Sequence, residues 1–202
     1  PPPPPPPPLF SSRRRHTRWN CSSRGLGDVY KRQGDDQSGY PHPDHLRVHD
    51  ISVAAFDRAG ESSRYPELGR PYRPSKLYYS TWSRRRLVAV HEGLIAHRGE
   101  SPFDETWFER PDTDHRLTTH IDVRDFMWAR TGSLRAHATQ IDPSAAFWFG
   151  LTDDELAAAY PWEDWILARS LVGPIPDVTG GDPPEDDLLA GLDVMLGVGV
   201  GP

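Results

Sequence analysis

Residues 38–60 read SGYPHPDHLRVHDISVAAFDRAG, and the placement of the chemistry in the fold follows from this stretch. Pro43 suits the first turn of a helix, where a missing N–H costs nothing, and the helix dipole favours Asp44 there. Apolar residues then recur at helical spacing up to Gly60, which predicts a helix. These residues are Leu46, Ile51, Val53, Ala55 and Phe56. The HPDH sequence therefore lies at a loop-to-helix junction, where backbone N–H groups and polar side chains converge.

Strand and helix patterns alternate along the rest of the chain. Strands are predicted at 75–82 and 118–123, and helices at 84–97, 122–140 and 153–159. Thr152 and Glu155 form a capping-box pattern before the last helix. The run 162–168 fits a strand or a helix, and 186–196 is a weak helix candidate. This alternation predicts an α/β fold, with so few strands that part of a sheet is expected.

The amino-terminal residues differ from the rest in composition. Residues 1–33 hold seven Arg and Lys against one Asp, whereas the whole chain has a net charge of −6. Eight prolines followed by LFSSRRRHTRWNCSSRGLGDVYKRQ resemble translated sequencing-adapter read-through, and a genuine polyproline arm is the alternative. We expect a non-native, disordered head at 1–33, a domain at 34–173 and a loose Pro-, Gly- and Asp-rich tail at 174–202.

Composition excludes several classes of protein. No apolar run reaches the roughly 20 residues that a membrane span needs, which predicts no membrane partner. No secretory signal is visible, so we expect a cytoplasmic protein. Cys21 alone cannot build a disulfide framework. The excess of acidic residues after residue 33 argues against nucleic acid as a partner. The sequence contains no HExxH, GxSxG or P-loop motif.

The HPDH sequence carries the candidate chemistry. His42 and His45 are three residues apart, and His45 and His49 are four apart on the predicted helix. Neutral imidazole is a good zinc ligand, and Asp44 could orient a histidine ring. The alternatives are exposed or locally hydrogen-bonded histidines and an aspartate that only stabilises the helix end.

The wider sequence resembles a known family. Residues 38–60, SKLYY at 75–79, LRAHATQIDP at 134–143 and a late ELA…W…LARS pattern are similar to the LmbE/PIG-L family of zinc-dependent deacetylases. The LRAHATQIDP segment points to the branch of amidases that act on mycothiol S-conjugates. The resemblance implies the carboxyl-terminal portion of a Rossmann-like α/β fold.

The resemblance also implies residue roles. His45 would bind Zn²⁺, His42 would act as general acid or stabilise the oxyanion, Asp44 would orient a histidine and Tyr40 would contact substrate. The implied reaction is hydrolysis of a C–N bond other than a peptide bond. A mycothiol S-conjugate would give a mercapturic acid and glucosaminyl-inositol, a detoxification step. The alternatives are deacetylation of N-acetylglucosaminyl-inositol in mycothiol biosynthesis and a non-catalytic binding chain.

The sequence departs from the family pattern in one respect. The family's AHPDD motif, which supplies the general base and two of its three zinc ligands, is absent. We therefore expect a carboxyl-terminal fragment that is inactive alone. No oligomeric state follows from the sequence.

Other polar and aromatic residues have two interpretations each. His137 and Gln140 could reach a pocket or bond locally, and the run 84–86 of three arginines could bind an anion or start a helix. His115 and His120 are expected to be exposed. The tryptophans from Trp82 onward are expected to pack rather than stack on bases.

Overall fold

The computed structural model describes the backbone of residues 30–34 and 43–45 and, in full, residues 46–192. The strands are β1 (Tyr30–Gly34), β2 (Lys76–Ser80), β3 (Thr119–Asp122) and β4 (Trp162–Ser170). The helices are α1 (Pro43–Arg58), α2 (Arg84–Arg98), α3 (Glu105–Phe108), α4 (Met127–Ala136), α5 (Ala146–Phe149) and α6 (Asp153–Ala159). Short 3₁₀ turns occupy Pro66–Leu68, Asp114–Arg116 and Arg124–Phe126.

The four strands form one mixed sheet in the order β1-β2-β4-β3. β1 and β2 are parallel, with Gly34 opposite Ser80, and β4 is antiparallel to both β2 and β3. The carboxyl ends of β1, β2 and β3 therefore meet the start of β4 at one edge, which we call the carboxyl edge. Parallel neighbours need a crossover, and α1 supplies it between β1 and β2.

Apolar side chains pack in three clusters around this sheet. One lies under α1 and comprises Phe56, Leu77, Tyr79, Leu117 and Ile166. The opposite sheet face buries Tyr78, Trp165 and Leu167 against Ile121 and Leu188. A third cluster joins the helices after β2 and comprises Leu87, Val90, Leu94, Phe103, Met127 and Leu156. Alternation along β2 and β4 explains why consecutive residues reach different clusters.

The α/β class is confirmed, and so are most of the predicted elements. The helix predicted from Pro43 ends at Arg58, and the strand predicted at 75–82 is β2. Thr152 and Glu155 make the reciprocal capping-box hydrogen bonds at the start of α6. The ambiguous run 162–168 lies in β4, the longest strand in the described part of the chain. These elements carry local signals, namely caps and apolar periods.

The helix predicted at 122–140 is wrong in extent. Asp122 ends β3, and its Oδ1 accepts a hydrogen bond from the backbone N–H of Arg124 at 3.0 Å. This side-chain turn leads into the 3₁₀ turn Arg124–Phe126 before α4 begins. At the other end the His137 N–H donates to the carbonyl of Leu134, a tighter bond that closes the last turn.

The predicted boundary between residues 33 and 34 falls inside a strand. β1 spans Tyr30–Gly34, and its backbone pairs with all of β2. The sequence YKRQG lacks the apolar alternation by which strands are predicted. It can still pair with the otherwise open edge of β2, because backbone hydrogen bonds do not depend on side chains. The rest of the predicted head, 1–29, lies outside the described residues.

The tail is not loose where the structure describes it. Residues 186–192 form turns rather than the predicted helix, and Gly191 has φ +81°. Glu185 exchanges backbone hydrogen bonds with the strand through Thr118 and His120, both at 2.8 Å. Leu192 is buried. Packing of Leu188 against the sheet and burial of Leu192 offset the weak preference of this segment for helix.

No helix in residues 30–34 and 43–192 combines the length and apolar character that crossing a membrane requires.

Candidate functional site

The HPDH sequence lies at the carboxyl edge of the sheet. α1 begins at Pro43, after the chain has left β1 at Gly34. Tyr40 and His42 lie outside the described residues, and Asp44 and His45 are described as backbone in the first turn of α1. Ligands of open α/β sheets bind at the carboxyl ends of parallel strands, so this is the expected position for a site.

Contacts further along α1 fix its direction over the sheet. The His49 ring lies 5.1 Å from the Tyr79 ring between centroids. Asp57 pairs at 3.8 Å with Arg169, which is opposite Leu77 in the sheet register. α1 therefore runs from the end of β2 toward its start. Position 45 precedes His49 by about 6 Å of helix, the length of two strand residues, which places it beyond Tyr79.

A buried polar cluster lies at the same edge and on the same sheet face. Asp164 accepts hydrogen bonds from His120 Nδ1 at 2.7 Å, from the Tyr160 hydroxyl at 2.8 Å and from the Ser83 hydroxyl. Asp164 is only 2% exposed. It faces the side of the sheet that α1 covers, because Ile166, two residues along β4, packs in the α1 cluster.

The charge of this cluster follows from its hydrogen bonds. Burial raises the pKa of Asp164, but hydrogen bonds from His120, Ser83 and Tyr160 together hold it below the usual value. Burial, together with the negative charge of Asp164, raises the pKa of Tyr160. Asp164 is therefore a carboxylate near neutral pH, and the protonated Tyr160 hydroxyl donates a hydrogen bond to it.

The sequence interpretation of His120 as exposed is wrong. Its side chain is 18% exposed, and the ring pairs with the carboxylate directly opposite it in β4. His115 is exposed, as predicted. Asp164, Tyr160 and Ser83 were not among the candidate residues. The signal that could have found them is a polar pair, Glu163 and Asp164, inside an apolar run that turned out to be a strand.

The three-arginine run starts a helix and is engaged within the fold. Asp114 accepts hydrogen bonds from the backbone N–H groups of Arg84 at 2.7 Å and Arg85 at 2.9 Å. A side-chain carboxylate thus occupies the position at the start of α2 where an anion would bind. Arg86 is buried and pairs with Glu163 at 3.3 Å. The run starts a helix, as one interpretation predicted, but the expectation of a solvated start is wrong for Arg86, which is buried.

Glu163 links two arginines at the carboxyl edge. Arg130 Nε lies 3.1 Å from Glu163 Oε1. The Arg86 guanidinium also lies 5.1 Å from the Trp82 ring, which stacks on Phe147. Trp82 keeps 42% of its surface exposed. This assembly joins the helical cluster to the sheet.

The remaining candidates have local partners. His137 Nδ1 bonds to the carbonyl of Ser133 at 2.7 Å, and Gln140 donates to the carbonyl of Thr139 at 2.9 Å, both on exposed positions. The local interpretation of both residues is therefore confirmed. Trp165 packs as predicted, whereas Trp128 is 66% exposed, contrary to the prediction.

Two clefts border these elements. A cleft of about 530 Å³ lies between α1 and the sheet, lined by His49, Asp57, Tyr79 and Arg169 among others. A larger one of about 970 Å³ lies between the end of α2 and α4. The smaller cleft is the one adjacent to the HPDH helix.

The described residues do not make a metal site by themselves. Within 30–34 and 43–192, no group of three or more His, Cys, Asp and Glu side chains could hold a metal ion. A catalytic zinc needs three protein ligands. The predicted ligand His45 would require partners from other residues.

Comparisons with known proteins identify relatives of the chain. It is 39% identical over 164 residues to a mycothiol S-conjugate amidase of Streptomyces coelicolor, covering 78% of this chain and 53% of the relative. It is 38% identical over 160 residues to 1D-myo-inositol 2-acetamido-2-deoxy-alpha-D-glucopyranoside deacetylase 1 of Frankia alni, covering 76% and 53%. The corresponding deacetylase of Rhodococcus erythropolis is 36% identical over 166 residues, covering 78% and 52%. The chain thus spans about half the length of the curated relatives it matches. No family model matches it.

Proposed function

The chain is related to the mycothiol S-conjugate amidases and the acetamido-glucopyranoside deacetylases over about three quarters of its length, and on that premise we propose that it is the carboxyl-terminal part of a hydrolase of C–N bonds. The observation that carries the proposal is the position of the HPDH helix. α1 begins at the carboxyl edge, beside the ends of two parallel strands. We also propose that the complete hydrolase has the Rossmann-like fold of the family.

The proposed substrate is a mycothiol S-conjugate, with a mercapturic acid and glucosaminyl-inositol as products. The identity to the Streptomyces coelicolor amidase supports this choice. Deacetylation of the acetamido-inositol glucoside is the second candidate, supported by nearly equal identity to the Frankia alni deacetylase. Both reactions would free the amino group of a sugar joined to inositol. A site that recognises the inositol glucoside therefore serves either reaction.

We assign roles to the four HPDH-region residues within this proposal. His42 gives a proton to the departing amine nitrogen, and Asp44 holds a histidine ring in the orientation this transfer needs. Tyr40 contacts the substrate beside the amide. His45 is the metal position, with the other ligands of Zn²⁺ supplied by residues from outside this chain. The chain alone is therefore expected to be inactive.

A chimera tests the proposal. Residues 34–202 would be joined in frame to the part of the Streptomyces coelicolor relative that precedes the matched region, and the full chain, which keeps β1 whole, would be produced alone. Release of amine from an S-alkylated mycothiol and from the acetamido-inositol glucoside would then be measured. We expect release by the chimera and none by the full chain alone. His42→Ala and His45→Ala should each lower the rate by about 100-fold or more.

His115→Ala is the matched control, because His115 is an exposed histidine in a 3₁₀ turn. Its rate should equal that of the unmodified chimera. A folded chimera that releases amine from neither substrate would contradict the proposed function.

A further inference from the structure

The hydrogen bond to Asp164 fixes which nitrogen of His120 is available. Asp164 is a carboxylate and can only accept, so the Nδ1 atom of His120 must carry the hydrogen in their 2.7 Å bond. In the neutral ring the lone pair then lies on Nε2. The neutral ring of His120 therefore presents a hydrogen-bond acceptor on the side away from Asp164.

This acceptor has no protein partner within residues 46–192, whose side chains the structure describes. The hydrogen bonds of His120 there are the one from Nδ1 and one from its backbone N–H to Glu185. Tyr160 and Ser83, the neighbouring hydroxyls, both donate to Asp164 instead. With the side chain only 18% exposed, an unfilled acceptor here is costly, which is typical of a position that a ligand group completes.

The ring also lies where a ligand at the HPDH helix would extend. His120 is opposite Asp164 in the sheet register, on the α1 side and at the carboxyl edge. Strands are about 4.8 Å apart, so His120 in β3 is about 10 Å from β2, under whose end α1 begins. That separation is too long for His120 to bind the same metal ion as the HPDH helix, but one sugar ring of a substrate can span it.

We propose that Nε2 of His120 accepts a hydrogen bond from a hydroxyl of the inositol glucoside part of the substrate, and that Asp164 is the positioning residue that orients the ring. The proposal rests on the proposed function for the identity of the polyol.

The test uses the full chain and glucosaminyl-inositol as the probe. Long-range proton–nitrogen spectra of the labelled chain would follow each histidine ring during titration with the probe. We expect the Nε2 resonance of His120 to move with saturation. His120→Asn should weaken binding at least tenfold, because its amide can still donate to Asp164 but offers no acceptor at the Nε2 position.

Two further variants separate a contact from a structural effect. His120→Gln places an amide oxygen near the Nε2 position and should recover part of the lost affinity. His115→Asn should leave binding unchanged. An Nε2 resonance that does not move at saturating probe, or equal affinity of wild type and His120→Asn, would overturn the inference.

The outcome is independent of the hydrolysis assay. Binding through His120 without amine release by the chimera would remove the proposed reaction and keep the polyol site. Amine release with an unaltered KM in the His120→Asn chimera would keep the proposed reaction and remove the polyol site.

Discussion

At the residue scale, the buried charges of Asp164 and Lys76 are paired with side chains distant in sequence. Asp164 bonds to His120, 44 residues away, and Lys76 to Glu185, 109 residues away at 2.7 Å. Lys76 is only 1% exposed, and its ammonium also donates to the carbonyl of Ala190. The Tyr78 hydroxyl completes the pair by donating to Glu185 at 2.6 Å. Each charge is stabilised only when both segments are in place.

The Asp164 cluster predicts a specific dependence of stability on pH. The folded pKa of Asp164 is below its ordinary value, so the unfolded chain binds more protons in the acid range. The stabilisation is therefore complete above about pH 4 and lost as the pH falls through the folded pKa. Asp164→Asn should cost about 2 kcal/mol at pH 7 and flatten this acid slope in urea unfolding.

Asp125→Asn is the control for this measurement, since Asp125 is exposed. Its stability profile should follow that of the wild type from pH 7 to pH 3. A full acid slope in Asp164→Asn would assign the effect to other carboxylates.

The sequence located the HPDH residues because they are contiguous, whereas the Asp164 cluster depends on pairing between strands. Nothing within a few residues of His120 indicates that a carboxylate lies opposite it. The register of β3 and β4 brings them together. A strand interpretation of 162–168 would have been needed first, and periodicity alone does not separate a strand from a helix there.

At the element scale, helices with local start signals were predicted well and pairings between distant segments were not. α2 begins where Ser83 accepts a hydrogen bond from the Arg86 N–H, and α6 begins at a capping box. β1 and the docked tail have no such signal. Their positions depend on the open edges and faces that β2, β3 and β4 leave after they have paired.

Thr152→Ala tests the contribution of the α6 cap. Thr152 accepts from the Glu155 N–H at 3.2 Å, and Glu155 accepts from the Thr152 N–H at 2.8 Å. The substitution should lower the free energy of unfolding by about 1 kcal/mol, measured in urea. Thr152→Ser keeps the hydroxyl and should retain most of the stability. Equal losses in both variants would show that the threonine methyl, rather than the cap, is responsible.

At the scale of the whole molecule, the sheet is covered on one face by α1 and on the other by the tail. Tyr78, Trp165 and Leu167 would face water without Leu188 and the turns around it. Large apolar patches of this kind promote association. The tail is thus part of the core rather than an appendage, although its composition alone predicted a loose segment.

Truncation before residue 182 should expose this face. The shortened chain also loses Glu185, the counter-charge of the Lys76 ammonium. We expect a lower thermal midpoint, binding of a hydrophobic dye and association in light scattering. The full-length chain, measured in parallel, is the control. A monomeric 1–181 chain with wild-type stability would contradict the assigned role of the tail.

The ion pair between Lys76 and Glu185 also determines when during synthesis the protein can fold. The ribosome delivers β2 more than one hundred residues before the acid that neutralises its lysine. Until then the central strand of the sheet has a charge that resists burial and a neighbour, β4, that has not yet emerged. We expect the nascent chain to hold its first helices but no closed sheet until β4 and Glu185 have emerged, and to require protection from premature association until then.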